Sequence, residues 1–256
     1  MKQQLTILTG ASRGMGAAIA ELLLQPGHTV IGLSRATNAD LQAKAAAAGA
    51  TLEQWALDLA DAPAAARRLE DWLAAQPAER FDSATLINNA AALTRIGPLE
   101  TSHAAELAHA LRVGLEAPLL LTAAFLRATQ GWRARRDGQC KVLNISSGLG
   151  RSAMASQASY CAVKAGMDHF SRAVALDQTH APHPARIVSL APGVIETDMQ
   201  AQLRAGDPAL FPDVARFVQL KSSGQLDAPP TAAAKVLAYL QREDFGSKPV
   251  ADVRDA

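Results

Sequence analysis

The sequence predicts an α/β protein built on a doubly wound parallel sheet of about seven strands, with helices on both faces. Short apolar runs alternate along the chain with longer stretches of helical periodicity, a pattern typical of βαβ units. The runs are apolar almost throughout, as in strands that are buried on both faces. The 256 residues, 49% of them hydrophobic and 19% charged, suit one domain with one large core.

Six apolar runs have strand length, at residues 5–9, 29–33, 51–57, 84–87, 141–145 and 186–190, with a weaker edge candidate at 249–253. Helices rich in Ala and Leu are predicted at about 14–25, 38–48, 62–75, 103–129, 156–180 and 230–241. We expect residues 1–256 to form a single domain with a substrate-loop insertion at about 194–230, where proline and glycine pairs interrupt the pattern. Ligands bind such sheets at the carboxyl ends of the strands.

Composition argues against several functional classes. The formal net charge is +1, from 25 Lys and Arg against 24 Asp and Glu, so no long-range field attracts nucleic acid or an anionic membrane. The longest apolar stretches, such as 117–126, are shorter than the roughly 20 residues that span a bilayer. Without an export signal, we expect a cytoplasmic protein with no membrane or nucleic-acid partner. The two cysteines and six histidines lack metal-ligand spacing, so no metal site is predicted.

A glycine-rich loop follows the first predicted strand and leads directly into the first predicted helix. Glycines at this junction permit a tight turn and let a pyrophosphate approach backbone N–H groups at the positive end of the helix. Glycine clusters also occur in ordinary turns, but this placement favours a Rossmann-type dinucleotide site. The residues predicted to contact the cofactor here are Gly10, Ser12, Arg13, Gly14, Met15 and Gly16.

The end of the second predicted strand favours NADP(H) over NAD. An acidic side chain there would bind the ribose 2′-hydroxyl of NAD, whereas this chain has Ser34 and Arg35. Because guanidinium groups pair with phosphate, Arg35 and Arg13 are expected to flank a 2′-phosphate. The alternative is that both are ordinary surface arginines. Further cofactor contacts are expected from Asp58 and Leu59 after the third strand, and from Asn89 and Ala90 after the fourth.

Three residues have the chemistry that carbonyl reduction requires. Tyr160 and Lys164 lie four apart on a predicted helix and share one face, and Ser147 ends the fifth predicted strand. Hydride transfer to a carbonyl leaves negative charge on oxygen, which needs a proton donor and a hydrogen-bond partner. We expect Lys164 to lower the pKa of the Tyr160 phenol, ordinarily about 10, and Ser147 to hold the carbonyl oxygen. Alone, a tyrosine and lysine at this spacing would be interpreted as a solvated surface pair.

These features together resemble the short-chain dehydrogenase/reductase family, and the resemblance extends over almost the whole chain. It includes the Pro-Gly segment that follows the sixth predicted strand. The resemblance implies that Ser147, Tyr160 and Lys164 are catalytic, with Ser147 and Tyr160 also contacting the substrate and Tyr160 and Lys164 the cofactor. It also implies nicotinamide contacts from Pro192, Gly193, Ile195 and Thr197.

Shorter motifs, at 145–147, 160–162, 198–200 and 220–226, are similar to sepiapterin reductases and related carbonyl reductases. In that branch a carboxylate near the C-terminus binds the pterin, which implies this role for Asp252, with Asp255 as an alternative. Met199 is expected to line a mostly apolar substrate pocket. The resemblance implies NADP(H)-dependent reduction of a ketone or dicarbonyl by a homodimer or homotetramer, although the same residues would also serve the reverse oxidation.

One position departs from the family pattern. Where the family has an asparagine that organises a water-linked proton path to the lysine, this chain has Gly114. We expect an extra water in the volume left by the missing side chain, slower catalysis, and faster turnover after a Gly114→Asn substitution. The alternative function, suggested by the same glycine, is an NADP-binding sensor or scaffold with weak or no turnover.

Overall fold

The computed structural model describes residues 3–135 and 140–255, and its centre is a seven-stranded sheet. The strands are β1 (Gln4–Thr9), β2 (His28–Ser34), β3 (Thr51–Ala56), β4 (Ser83–Asn88), β5 (Cys140–Ile145), β6 (Arg186–Ala191) and β7 (Val250–Asp252). Their order in the sheet is β3-β2-β1-β4-β5-β6-β7, and all neighbours are parallel. The predicted doubly wound sheet is confirmed, and the weak candidate at the end of the chain forms its last strand.

Ten α-helices connect and cover the strands within the described part of the chain. They are α1 (Gly14–Leu23), α2 (Ala39–Ala48), α3 (Ala62–Ala74), α4 (Ala104–Leu111), α5 (Ala117–Ala128), α6 (Gln130–Arg135), α7 (Ala158–Thr179), α8 (Asp198–Arg204), α9 (Val214–Ser222) and α10 (Pro229–Gln241). Local signals fix several ends. Asn38 and Asp61 cap α2 and α3 by accepting backbone N–H bonds, and Gly49 ends α2 with a left-handed φ of 64°.

Two separate hydrophobic cores lie on the two faces of the sheet. Ile7 and Leu8 are neighbours in β1 and are both fully buried, but they belong to opposite cores. One core is closed by α1, α2 and α10, and the other by α3 and α5, with residues of α7 packed against it. Burial on both faces explains why the strands are continuously apolar in sequence.

The segment from α4 to α5 is one continuous helix with a π-helical turn at Arg112–Glu116. The sequence analysis underestimated the longest apolar stretch, which it placed at 117–126. By length and composition alone, the helix Ala104–Ala128 is long and apolar enough to cross a membrane. Half of its most apolar window is buried inside the protein. Buried residues such as Ala117, Leu121 and Phe125 join the core beside α3, as expected of a core helix.

The predicted insertion contains α8 and α9, which pack together around a small cluster of their own. Leu203, Phe211, Val214 and Phe217 are buried there, and the rings of Phe211 and Phe217 are 5.6 Å apart. Ile96, Met154, Met199 and Leu220 pack against this cluster. The insertion therefore has an apolar core distinct from the two cores of the sheet.

Candidate active site

The glycine loop between β1 and α1 is packed so tightly that side chains cannot be added at two of its positions. A Cβ on Gly10 would lie 3.0–3.1 Å from atoms of Asn89 and Ala90, and φ at Gly10 is +69°. A Cβ on Gly16 would lie 2.0 Å from the Gly10 carbonyl oxygen. The Asn89 side-chain amide fixes the loop by donating to the carbonyl oxygens of Thr9 and Gly10.

The amino end of α1 is suited to an anion. Arg13 at the N-cap makes no side-chain capping bond, and the first turn of this helix contains no acidic residue. A helix N-terminus with unused N–H groups attracts phosphate. The residues of this loop therefore fit the pyrophosphate of a nicotinamide dinucleotide, with the glycines allowing its close approach.

The two arginines expected at a 2′-phosphate have different environments. Arg35, directly after β2, is exposed. Arg13 is also exposed, but its Nη1 is 2.9 Å from the Asp198 carboxylate at the start of α8. The Asn38 amide donates to the Ser12 carbonyl oxygen, which holds the β2–α2 connection against the glycine loop. Arg13 therefore connects the glycine loop to the insertion and already has an anionic partner.

The other predicted cofactor residues divide into exposed and buried groups. Asp58 is exposed and accepts a 2.9 Å bond from the Ala60 N–H, which forms a local turn. The side chains of Met15 and Leu59 are buried in the cores, so at these positions only the backbone is available to a ligand. Ser34 is partly buried at the end of β2.

The segment after β6 begins at the carboxyl end of the same sheet. Gly193 has a φ of +84°, and Ile195 is buried and forms a parallel bridge with Asp227. Pro192 is buried and Thr197 is the N-cap residue of α8. This segment therefore leads from the carboxyl end of the sheet directly into the insertion.

Ser147, Tyr160 and Lys164 lie together at the carboxyl end of β5. Ser147 begins a short 3₁₀ turn, Gly148–Gly150, and its hydroxyl accepts from the Leu149 N–H at 3.2 Å and bonds to Tyr160. Lys164 is 2% exposed, and its Nζ lies 5.7 Å from the Tyr160 ring centre. This Nζ donates a 2.6 Å bond to the Ile145 carbonyl oxygen at the end of β5.

The ionisation of Tyr160 differs from our expectation. Burial raises the pKa of its phenol to about 12, although the Ser147 hydrogen bond lowers it. The ring keeps part of its surface exposed, but protein atoms surround it closely enough to disfavour the phenolate. Lys164 is not among the groups that lower this pKa, and its Nζ donates to the Ile145 carbonyl oxygen. The prediction that Lys164 makes Tyr160 acidic was wrong for this arrangement, and the phenol is protonated at neutral pH.

The same burial acts on Lys164 in the opposite direction. It lowers the pKa of the ammonium to about 8, while the carboxylate of Asp168 raises it. At neutral pH the Lys164 side chain is therefore mostly protonated, and it loses its proton at a pH only about one unit higher.

The space that we expected beside Gly114, in place of the missing side chain, is occupied by a neighbouring residue. A Cβ on Gly114 would lie 2.6 Å from Cγ1 of Val163 and 3.4 Å from its Cγ2. The π-helical turn thus approaches α7 closely, one residue before Lys164. Our expectation of an extra water at this position was wrong, because a valine side chain occupies the volume.

The predicted substrate residues lie in two different parts of the structure, the insertion and the end of β7. Met199 packs against the apolar cluster of the insertion. Asp252 is at the end of β7 and 6% exposed, and its carboxylate accepts from the backbone N–H, Nε and Nη2 of Arg254. This pairing lowers the pKa of Asp252. Asp255, the alternative, is exposed in the last turn of the described chain.

Two residues close to the site were missed by sequence reasoning. The Arg151 guanidinium donates to the carbonyl oxygens of Ser147 and Ala251, which joins the candidate catalytic turn to β7. Asp168 is buried on α7, one helical turn after Lys164. The repeated four-residue spacing from Tyr160 to Lys164 to Asp168 was the signal that could have identified it.

Comparisons with known proteins agree with this geometry. Residues 4–208 match a protein-family model described as short chain dehydrogenase. Benzil reductase ((S)-benzoin forming) of Bacillus cereus is 33% identical over 239 residues, which cover 93% of this chain and 94% of that protein. Sepiapterin reductase of Rattus norvegicus is 31% identical over 260 residues, covering 97% and 95% of the two chains.

Solved structures have the same fold. A metagenomic short-chain oxidoreductase in complex with NADP is 27% identical with a TM-score of 0.72, covering 98% of this chain and 95% of the other. A 3-oxoacyl-(acyl-carrier protein) reductase from Brucella melitensis in complex with NAD has a TM-score of 0.80 at 20% identity, covering 99% and 96%. The resemblance to sepiapterin reductases found in the sequence is confirmed. The chain belongs to the short-chain dehydrogenase family of oxidoreductases.

Proposed function

We propose that this protein is an NADPH-dependent reductase that converts a ketone or dicarbonyl into an alcohol. The observation that carries the proposal is the meeting of Ser147, Tyr160 and Lys164 at the carboxyl end of β5, on the same side of the parallel sheet as the glycine loop after β1. The similar benzil and sepiapterin reductases support a carbonyl substrate by their names. The mostly apolar cluster near Met154 and Met199 is compatible with an aromatic dicarbonyl.

Ser147, Tyr160 and Lys164 each have a separate role in the proposed reaction. When bound, NADPH supplies the hydride. The Ser147 hydroxyl binds the carbonyl oxygen of the substrate, and the Tyr160 phenol donates the proton that this oxygen requires. A phenol with a pKa of about 12 is protonated at neutral pH, which is the state that reduction needs. Lys164 does not make the phenol acidic, and its ammonium, with Nζ 5.7 Å from the ring centre, only partly offsets the cost of the phenolate left after proton transfer.

We propose that the remaining predicted contacts hold the cofactor as the sequence suggested. Gly10, Gly14 and Gly16 admit the pyrophosphate, and the segment from Pro192 to Thr197 holds the nicotinamide. The exposed Arg35 binds the 2′-phosphate with Ser34, and Asp58 and Asn89 lie on the adenosine side. Arg13 assists only if its ion pair with Asp198 opens. Asp252 contacts the substrate only by exchanging the guanidinium of Arg254.

We further propose that the whole chain acts as one dinucleotide-binding domain with a substrate-loop insertion, in the cytoplasm and as a homodimer or homotetramer. Its partner is then a small carbonyl compound, without nucleic acid or membrane. The alternative is an NADP-binding sensor or scaffold with weak or no turnover, suggested by Gly114, which is packed against Val163 and offers no side chain to a proton path.

Stopped-flow oxidation of NADPH with a panel of diketones and pterins tests the activity. We expect Tyr160→Phe to lower the rate roughly 10²–10⁴-fold, the contribution typical of a positioned acid, while NADPH still binds. Tyr239, the other tyrosine, lies on α10, and Tyr239→Phe is the matched control that should retain the rate. Tight NADPH binding without turnover on any compound would favour the sensor, and an undiminished rate in Tyr160→Phe would refute the mechanism.

Fluorescence titration with NADPH and NADH tests the cofactor preference. Because an ionic hydrogen bond contributes about 1.5–3 kcal/mol, we expect Arg35→Ala to weaken NADPH binding roughly 10–100-fold and to leave NADH binding unchanged. Arg172→Ala removes an exposed arginine of α7 as a control. Equal weakening for both cofactors would show that Arg35 does not recognise the 2′-phosphate.

A further inference from the structure

A buried carboxylate that the proposed reaction does not use lies directly behind Lys164. Asp168 is 1% exposed on α7, one turn after the lysine. Its Oδ1 accepts two short hydrogen bonds, from the Ser146 hydroxyl at 2.5 Å and from the Ser189 hydroxyl at 2.6 Å. Ser146 precedes Ser147, and Ser189 lies in β6, so one carboxylate oxygen connects two strand ends with α7.

The second carboxylate oxygen is enclosed but accepts no hydrogen bond from the residues that the structure describes. A Cβ on Gly150 would lie 2.7 Å from this Oδ2, so the 3₁₀ turn after Ser147 closes directly over it. The nearest cation is Arg151, whose Nε is 3.8 Å away. An oxygen buried without a hydrogen bond is costly, which argues that the charge of Asp168 has a use beyond packing.

Two charged side chains act on this carboxylate from two elements. Lys164 approaches from α7 itself, and Arg151 approaches from the segment after the 3₁₀ turn. Arg151 also contributes to the field at Asp252 in β7. Tyr160, two turns before Asp168 on α7, is a further titratable group near the lysine, and Cys161 beside it acts on Tyr160.

We propose that Asp168 is a positioning residue, a buried counter-charge that keeps Lys164 protonated at neutral pH and holds the Ser146–Ser147 strand end against α7. The part of this proposal that concerns turnover rests on the proposed reductase function. The part that concerns the charge of Lys164 does not, because the protonation of a buried lysine also affects folding stability. The two parts can therefore be tested separately.

Denaturant unfolding of the full chain between pH 6.5 and 9, at one protein concentration, tests the charge without any substrate. The pKa of Lys164 is about 8 in the folded protein and 10.5 by default. Above pH 8 the unfolded chain binds more protons, so the unfolding free energy should rise with pH from about 8. Lys164→Met should abolish this rise, which assigns it to Lys164.

Asp168→Asn removes the counter-charge and keeps the shape of the side chain. We expect the rise in stability to begin roughly one pH unit lower than in the wild type, since a neighbouring opposite charge changes a pKa by about 1–3 units. Arg151→Gln removes the cation that competes for Asp168, and the rise should then begin at higher pH. Asp177→Asn, an exposed acid on the same helix, should change neither.

The pH profile of kcat/KM for NADPH-dependent reduction gives the second readout. The rate should fall as pH rises through about 8, when Lys164 loses its proton, and this limb should move in the same directions as the stability curves. A merely structural role would lower the stability or the rate of Asp168→Asn without moving either curve along the pH axis, and would overturn the proposal. If Asp168→Asn does not fold, an unmoved curve in Arg151→Gln overturns it instead. Absence of turnover in the wild type would contradict the proposed function alone.

Discussion

At the scale of one residue, the space left by the missing side chain of Gly114 is filled by a neighbouring residue. The sequence alone indicates only that no side chain is present. The structure adds that Val163 packs into this volume from α7, with 2.6 Å between its Cγ1 and the position of a Cβ on residue 114. The two residues thus form a pair that brings the π-helical turn close to the lysine-bearing helix.

We expect Gly114→Asn to destabilise the protein by about 1–3 kcal/mol and to slow turnover, because overpacking forces neighbours apart. This reverses the expectation from sequence. Adding Val163→Ala to the same chain should recover much of the loss, as a double-mutant cycle with denaturant unfolding would measure. Gly131→Asn, in α6 with nothing within 4 Å of its Cβ position, is the control. A stable and faster Gly114→Asn variant would contradict this packing argument.

The residues of the site were predictable, but their energetics were not. The positions of Ser147, Tyr160 and Lys164 follow from strand ends and from helical spacing, both of which are visible in the sequence. The raised pKa of Tyr160 depends on burial by distant segments. The pairing of Arg13 with Asp198 and of Asp252 with Arg254 depends on side-chain directions that spacing does not fix.

At the scale of elements, the insertion is held in place by its own apolar cluster and by residues outside it. Ser156 has a φ of +63°, and its hydroxyl donates to the Leu210 carbonyl oxygen at 2.5 Å. A left-handed backbone at a non-glycine residue is strained and persists only when its surroundings support it. Ser156 therefore anchors the insertion to the segment that precedes α7.

Phe211→Ala should loosen the insertion selectively. Phe211 is fully buried in the small cluster, and truncating a buried phenylalanine costs about 3–5 kcal/mol. We expect faster hydrogen exchange across α8 and α9, and a raised KM for the carbonyl substrate with a smaller change in kcat. Phe245→Ala removes an equally buried ring from the core beside α10 and should weaken the fold without this selective effect. Equal exchange in both variants would show that the insertion is not an independent unit.

The sequence predicted the elements best where burial is two-sided. All six apolar runs and the edge candidate became strands, because β-strands in this sheet are buried on both faces. The π-helical turn was not predicted, since apolar spacing marks a face of a helix but not a local change in its hydrogen bonding. Helices α8 and α9 were too short for periodicity to define their ends.

At the scale of the whole molecule, two leucines on neighbouring helices are exposed, and we propose that they contribute to the contact of the proposed assembly. Leu119 on α5 is 45% exposed and Leu176 on α7 is 67% exposed. The two helices pack beside each other on the same face of the sheet. A contiguous apolar patch can mark a protein–protein contact, and we propose that these two leucines belong to one.

We expect Leu119→Glu and Leu176→Glu each to shift the protein toward the monomer, because a carboxylate in an apolar contact would lose its hydration. Size-exclusion chromatography with light scattering measures the mass directly. Leu22→Glu places the same charge at an exposed position of α1, on the opposite face of the sheet. This control should leave the mass unchanged. A monomeric wild type would contradict the proposed assembly.

The short last strand has a consequence for substitutions outside the proposed site. Through Arg151, the β7 residue Ala251 is joined to Ser147 by a single guanidinium group, whereas β1 begins in the middle of the sheet, at the amino ends of the strands. A substitution that displaces β7 would therefore reach the proposed catalytic turn through one side chain, that of Arg151. Substitutions at the start of β1 lack this connection, because that strand begins a full strand length from the proposed site.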